Sequence, residues 1–83
     1  MFEAILLPEA RAARDLLNDE DRIEVNSIIQ ILELNPWTDD ITKFTVVIND
    51  VGLGVYDDGR WEVVYRVVDD RFIEVIGISH IRG

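Results

Sequence analysis

Two runs rich in β-branched and aromatic residues, separated only by Asp69-Asp70, constrain the fold more than any other part of the chain. The first run is Trp61–Val68 and the second is Arg71–Ile81. Runs of this composition on either side of turn-forming residues are typical of a β-hairpin. Both faces of this hairpin would carry aliphatic side chains, which indicates strands near the centre of a sheet.

A two-residue turn at Asp69-Asp70 also predicts the register of the hairpin, although Gly is the residue expected at the second position of such a turn. Glu62 and Arg66 would then lie on the opposite face from Trp61. Arg66 and Glu74 are also near one another across the hairpin, and a cross-strand ion pair is predicted for them. The predicted cross-strand pairs are Val67–Phe72, Tyr65–Glu74, Val63–Ile76 and Trp61–Ile78.

The first half of the chain has a strand pattern followed by two helical patterns. Residues 2–7 read as a strand, and Pro8 then suits the first turn of a helix of about three turns. The polar stretch 18–21 separates this helix from a second one, for which we predict Asp19 as the N-cap. The second helix ends at Asn35-Pro36, because the residue before a proline disfavours helical geometry.

Two more strands are predicted before the hairpin, at residues 44–49 and 53–59, with a turn at 50–52 between them. The predicted order is β-α-α followed by three or four antiparallel strands. This is the α+β class, with a two-helix hairpin packed on an antiparallel sheet. At 83 residues, the chain is expected to form a single domain over residues 1–83.

The charge of the chain restricts its partners. It has 17 acidic and 8 basic residues, a net charge of −9 and a pI near 4.3. Since proteins bind nucleic acid largely by neutralising phosphates with Lys and Arg, this balance argues against non-specific nucleic-acid binding. It leaves two interpretations open: a basic partner, or a charge that serves solubility and has no partner. Seven of the eight basic residues are Arg, and Lys43 is the only Lys.

The composition also restricts compartment and chemistry. The chain has no cysteine, which excludes disulfides, thiolate metal sites and a cysteine nucleophile. It has no apolar run long enough to span a membrane and no signal-peptide pattern, so we expect a cytoplasmic protein without a membrane partner. The acidic clusters fall in predicted turns and caps, without the spacing of a calcium loop, so neither a metal nor a cofactor is expected.

The element order and the final hairpin together resemble the RelE/ParE superfamily of bacterial toxins. The resemblance has three parts: the end of the second helix at Asn35-Pro36, a motif at the start of the hairpin's first strand, and the basic end of the last strand. In the family, that motif runs Gly, aromatic, Arg, two aliphatic residues and Tyr. Its counterparts here, with Arg60 inserted after the Gly, are Gly59, Trp61, Glu62, Val63, Val64 and Tyr65, and the terminal basic residue is Arg82.

This resemblance implies a toxin-like component of a type II toxin–antitoxin system, with a cognate antitoxin as partner. RelE-like members cut messenger RNA on the ribosome, whereas ParE-like members inhibit DNA gyrase without being enzymes. Three functions therefore stay open for this chain: a ribosome-dependent endoribonuclease, a non-enzymatic inhibitor of gyrase, and a catalytically degenerate protein-binding module. Whether it is an enzyme is left undecided.

The candidate site residues come from this resemblance and from their position near the motif. RNA cleavage needs cations over the phosphate and groups that transfer protons. Glu62 occupies the position of the family's strand Arg, and the preceding strand lacks the lysines that the family often has. A surface ion pair between Arg60 and Glu62 is one structural role for both. The candidates for catalysis are Arg82, Arg60, Arg66, His80 and Tyr65.

Overall fold

Two helices lie between the first and second strands of a five-stranded sheet. The computed structural model describes residues 1–37, 43–48 and 51–81. The order confirms the predicted β-α-α-β-β-β-β arrangement of an α+β fold. The elements are β1 (Glu3–Leu6), α1 (Pro8–Asp15), α2 (Asp19–Leu34), β2 (Lys43–Ile48), β3 (Val51–Asp57), β4 (Trp61–Val67) and β5 (Phe72–His80).

The strands follow the order β1-β5-β4-β3-β2 across the sheet. Strands β2 to β5 pair as consecutive antiparallel neighbours, as predicted. Strand β1 pairs parallel to β5, which makes the sheet mixed. A parallel pair needs a crossover connection, and α1 and α2 form part of the one between β1 and β5.

The start of α2 corrects one prediction. The N-cap is Asn18 and not Asp19, because the Asn18 side chain accepts a hydrogen bond of 2.9 Å from the backbone N–H of Asp21. Asp19, Glu20 and Asp21 fill the first turn, where carboxylates interact favourably with the positive end of the helix dipole. The N-terminal end of α2 is therefore strongly acidic.

The core lies between the two helices and one face of the sheet. Leu32 and Val25 of α2 and Ala10 of α1 are fully buried against this face. The sheet contributes alternate residues along β4, as the pleat requires, and residues of β3 and β5 on the same face. Its buried contributors are Tyr56, Trp61, Val63, Tyr65, Ile73, Val75 and Ile78.

The register of the β4–β5 hairpin differs from the prediction. Asp69 Oδ1 accepts hydrogen bonds from the backbone N–H groups of Arg71 and Phe72, at 2.8 and 2.9 Å, and Val68 N–H bonds Phe72 O. This side-chain cap stabilises a loop longer than the predicted two residues, and a bulge follows between Val64 and Tyr65. The observed pairs are Val67–Ile73, Tyr65–Val75, Val63–Ile78 and Trp61–His80.

The predicted turn at residues 50–52 is also wrong in part, because Val51 and Gly52 belong to β3 and pair with β2. Residues 49 and 50 lie outside the described part of the chain.

Within the described residues, no helix combines the length and the apolar character needed to cross a membrane.

Candidate functional site

The turn between β3 and β4 holds the beginning of the sequence motif. Asp58 Oδ1 accepts hydrogen bonds from the backbone N–H groups of Arg60 (2.9 Å) and Trp61 (2.8 Å), and Oδ2 accepts one from the Tyr56 hydroxyl (3.0 Å). Gly59 takes a positive φ of 87°, which glycine adopts without a steric penalty. Burial raises the pKa of Asp58, but these hydrogen bonds to its carboxylate outweigh that effect and lower the pKa.

Arg60 extends from this turn toward the helices. Its guanidinium lies 3.2 Å from Glu24 Oε1 and 3.6 Å from Asp21 Oδ1, both on α2. The proposed pair with Glu62 is not formed, because the turn directs Arg60 away from the strand face that carries Glu62. Arg60 thus connects the hairpin to the acidic end of α2.

His80 lies beside Trp61 at the same end of the hairpin. The two residues are cross-strand partners, and their rings meet edge to face with centroids 4.8 Å apart. Trp61 is buried in the core, whereas His80 is exposed at its margin. Arg60 and His80 therefore lie close in the fold, on the side of the sheet that carries the helices.

Tyr65 is part of the core. Only 1% of its surface is exposed, and its hydroxyl donates a hydrogen bond of 2.7 Å to the backbone oxygen of Pro36. Gly54 on β3 lies under its ring. The bond to Pro36 joins β4 to the segment that follows α2, so Tyr65 has a structural role in this conformation.

Arg66 lies on the other face of the sheet, at the far end of β4. Its guanidinium forms the predicted cross-strand ion pair with Glu74 through Nε and Nη2, which confirms that pairing. Arg60 and Arg66 are separated by six residues of extended chain, or roughly 20 Å, and by the thickness of the sheet. The described candidates therefore do not converge on one surface; Arg82 lies outside the described residues.

The sheet face without helices is here called the open face. Strand alternation and the cross-strand pairs place Val55 and Val64 near its middle. Ile5, Val46 and Val51 lie toward its edges and are 43%, 36% and 46% exposed. The open face thus has an apolar floor that the described helices do not cover.

Two acidic residues are neighbours on the open face. Asp57 and Glu62 are direct cross-strand partners on β3 and β4. The Asp57 side chain accepts a hydrogen bond from Gly59 N–H, whereas the Glu62 carboxylate has no ion pair or hydrogen bond with another described residue. The sequence motif points to Glu62 but not to its partner Asp57, because this pairing depends on the length of the Asp58 turn.

A second apolar feature is a cavity of about 170 Å³ between the end of α2 and strands β2 and β3. Trp37, Gly54 and Tyr65 contribute to its walls.

The described residues contain no group of three or more His, Asp or Glu side chains arranged to hold a metal ion.

Solved structures of toxin–antitoxin proteins share this arrangement. The RelBE2 toxin–antitoxin complex of Mycobacterium tuberculosis superposes with a TM-score of 0.79 over 96% of this chain and 98% of that chain, at 15% identity. The chain has the RelE fold. The archaeal RelE–RelB complex of Pyrococcus horikoshii OT3 gives a TM-score of 0.74 at 16% identity, over 95% of this chain and 93% of that chain.

A third structure with the RelE fold is the YoeB dimer of Staphylococcus aureus, with a TM-score of 0.76 and 17% identity over 98% of each chain. No protein-family model matches the sequence, and no curated protein sequence matches it either. The likeness therefore lies in the three-dimensional structure, and it confirms the predicted RelE/ParE-like fold.

Proposed function

We propose that this chain is the toxin-like component of a type II toxin–antitoxin system and that it acts by binding a protein target, without cutting RNA. The RelE fold and the toxin–antitoxin complexes among its structural neighbours support the first part. The observation that carries the second part is the position of Glu62. It replaces the Arg of the family motif and lies directly opposite Asp57.

The chemistry of RNA cleavage explains why this observation matters. Negative charge grows on the phosphate in the transition state, and preorganised cations stabilise it. The two neighbouring carboxylates of Asp57 and Glu62 would instead repel that phosphate at short range. Arg66, the described cation of the open face, is already paired with Glu74, so a phosphate would have to displace that carboxylate.

The other described candidates support the same proposal. Arg60 is engaged by Asp21 and Glu24 on the helix side of the sheet, and Tyr65 is buried. A ribosome-dependent endoribonuclease would therefore depend on Arg82 and His80. A ParE-like inhibitor of DNA gyrase needs no catalytic group and is compatible with all of these positions.

Controlled expression of the chain in bacteria tests the proposal. We expect slowed growth, intact messenger RNA by primer extension, and the same growth defect for Arg82→Ala and Arg66→Ala. Plasmid supercoiling is measured in the same cultures, and a change would identify gyrase as the target. Co-expression of the product of an adjoining gene is expected to restore growth if that product is the antitoxin.

Two outcomes contradict the proposal. Cleaved messages that disappear in Arg82→Ala would establish the endoribonuclease instead. Normal growth, with the folded protein detected in the cells, would rule out a toxin and leave a protein-binding module.

A further inference from the structure

We propose that the open face binds a basic amphipathic segment of a partner protein. The assignment of that partner as an antitoxin rests on the proposed function, but the chemistry of the segment does not. The face combines apolar side chains, which bury surface on binding, with carboxylates that select the charge of what binds. Each of these features is carried by described residues.

The apolar floor extends over β4, β3 and β2. Val64 on β4 lies beside Val55 on β3, which is only 7% exposed and supports the floor from below. The half-buried Leu53 and the exposed Val46 are cross-strand partners on β3 and β2. Ile5 adds an exposed apolar side chain on β1 at the other edge, beside Glu74 of β5. Such a floor suits a helix or an extended segment with one apolar side.

The charges on the open face are predominantly negative. Arg66 is the one cation among the described residues of this face, and it forms an ion pair with Glu74. Four carboxylates share the face: Glu3, Asp57, Glu62 and Glu74.

The Asp57–Glu62 pair supplies the strongest argument. Like charges directly opposite each other in a sheet destabilise it. The described residues provide no cation for Glu62. An Arg or Lys of a bound segment, placed between these two carboxylates, would turn the repulsion into two attractions.

Charge also decides against other occupants. A second copy of this chain also has a net charge of −9, so the two copies would repel each other. If their open faces met, carboxylates would lie against carboxylates. Nucleic acid would meet the same repulsion. A basic segment is the occupant that matches both the floor and its charges.

The test is a selection of peptides from a random display library against the folded full-length chain. We expect the binders to carry a positive net charge and an apolar side. Two variants with equal changes of net charge locate the site: Glu62→Lys on the open face, and Glu20→Lys in the first turn of α2. Glu62→Lys should weaken binding by about tenfold or more, and Glu20→Lys by less than about threefold.

A selection that yields no binders, or acidic or uncharged binders, would overturn the inference. So would an equal loss in both variants, because that result would mean that only the total charge matters. Misfolding cannot imitate the expected result if Glu62→Lys remains at least as stable as the parent chain in thermal unfolding. We expect Glu62→Lys to be at least as stable as the parent chain, since the introduced ammonium group would attract the carboxylate of Asp57.

The binding assay separates this inference from the proposed function. If growth is normal but basic peptides still bind the open face, the toxin assignment fails and the inference stands. If growth slows and an antitoxin is found, but its binding does not respond to Glu62→Lys, the inference fails and the toxin assignment stands.

Discussion

The ring of Tyr65 lies directly on the backbone of Gly54, so closely that a Cβ atom at Gly54 would fall 2.5 Å from Cε2 and 2.8 Å from Cε1 of the ring. From this position the Tyr65 hydroxyl reaches Pro36 O. The absence of a side chain on β3 thus allows β4 to bond the segment after α2.

Gly54→Ala should destabilise the fold, because the added methyl group would displace the Tyr65 ring and strain its hydrogen bond to Pro36. We expect a loss of about 1–3 kcal/mol in the free energy of unfolding, measured by chemical denaturation. Gly77→Ala is the matched control, since a Cβ there meets nothing within 4 Å. An equal loss in both variants would mean that lost glycine backbone freedom, and not the Tyr65 contact, causes the effect.

Tyr65→Phe keeps the ring on Gly54 but removes the hydrogen bond to Pro36. The carbonyl of the buried Pro36 then loses this donor, which should cost about 1–2 kcal/mol in the free energy of unfolding. Denaturation of this variant beside the parent chain measures the cost. Unchanged stability would show that water replaces the hydroxyl, and that the bond does not hold the segment after α2.

Asp58→Asn should change how stability depends on pH. The pKa of Asp58 is lowered in the fold, so its carboxylate contributes stability above the unfolded pKa of about 3.8, and this contribution is lost as pH falls through the lower folded pKa. The difference in stability between the parent chain and Asp58→Asn should therefore be larger near neutral pH than in strong acid. Thermal unfolding from about pH 2 to pH 7 measures the difference. A difference that is constant with pH would assign no role to the charge.

Arg60→Ala should have a small effect on stability. The Arg60 side chain is 59% exposed, and exposed ion pairs contribute at most about 1 kcal/mol. Sodium chloride at about 0.5 M should reduce the difference from the parent chain further, because salt screens exposed charges. If Arg60→Ala instead abolished the effect on growth while leaving thermal stability intact, Arg60 would belong to the functional surface.

Much of the architecture can be predicted from local patterns. Pro8 and Asn35-Pro36 delimit the helical region, and the β-branched runs indicate the strands. The register of the last hairpin could not be predicted, since it depends on Asp69 bonding two backbone N–H groups and on the bulge next to Tyr65. A pattern of residue types does not distinguish a two-residue turn from this capped loop.

The arrangement of the candidate cations could not be predicted either. Strict alternation along a strand would put Arg60 and Arg66 on the same face, because six positions separate them. Arg60 precedes β4, however, and belongs to a turn whose backbone Asp58 holds. The turn directs Arg60 toward α2, where Glu24 and Asp21 bind it.

The parallel pairing of β1 with β5 has a consequence for synthesis of the chain. Residues 3–6 pair with residues 72–75, so β1 has no partner in the sheet until all the intervening elements have been translated. Contacts this distant in sequence form late, because the closure of a long loop must come first. The nascent chain therefore cannot present the finished sheet, and any activity that requires it begins only after β5 has emerged.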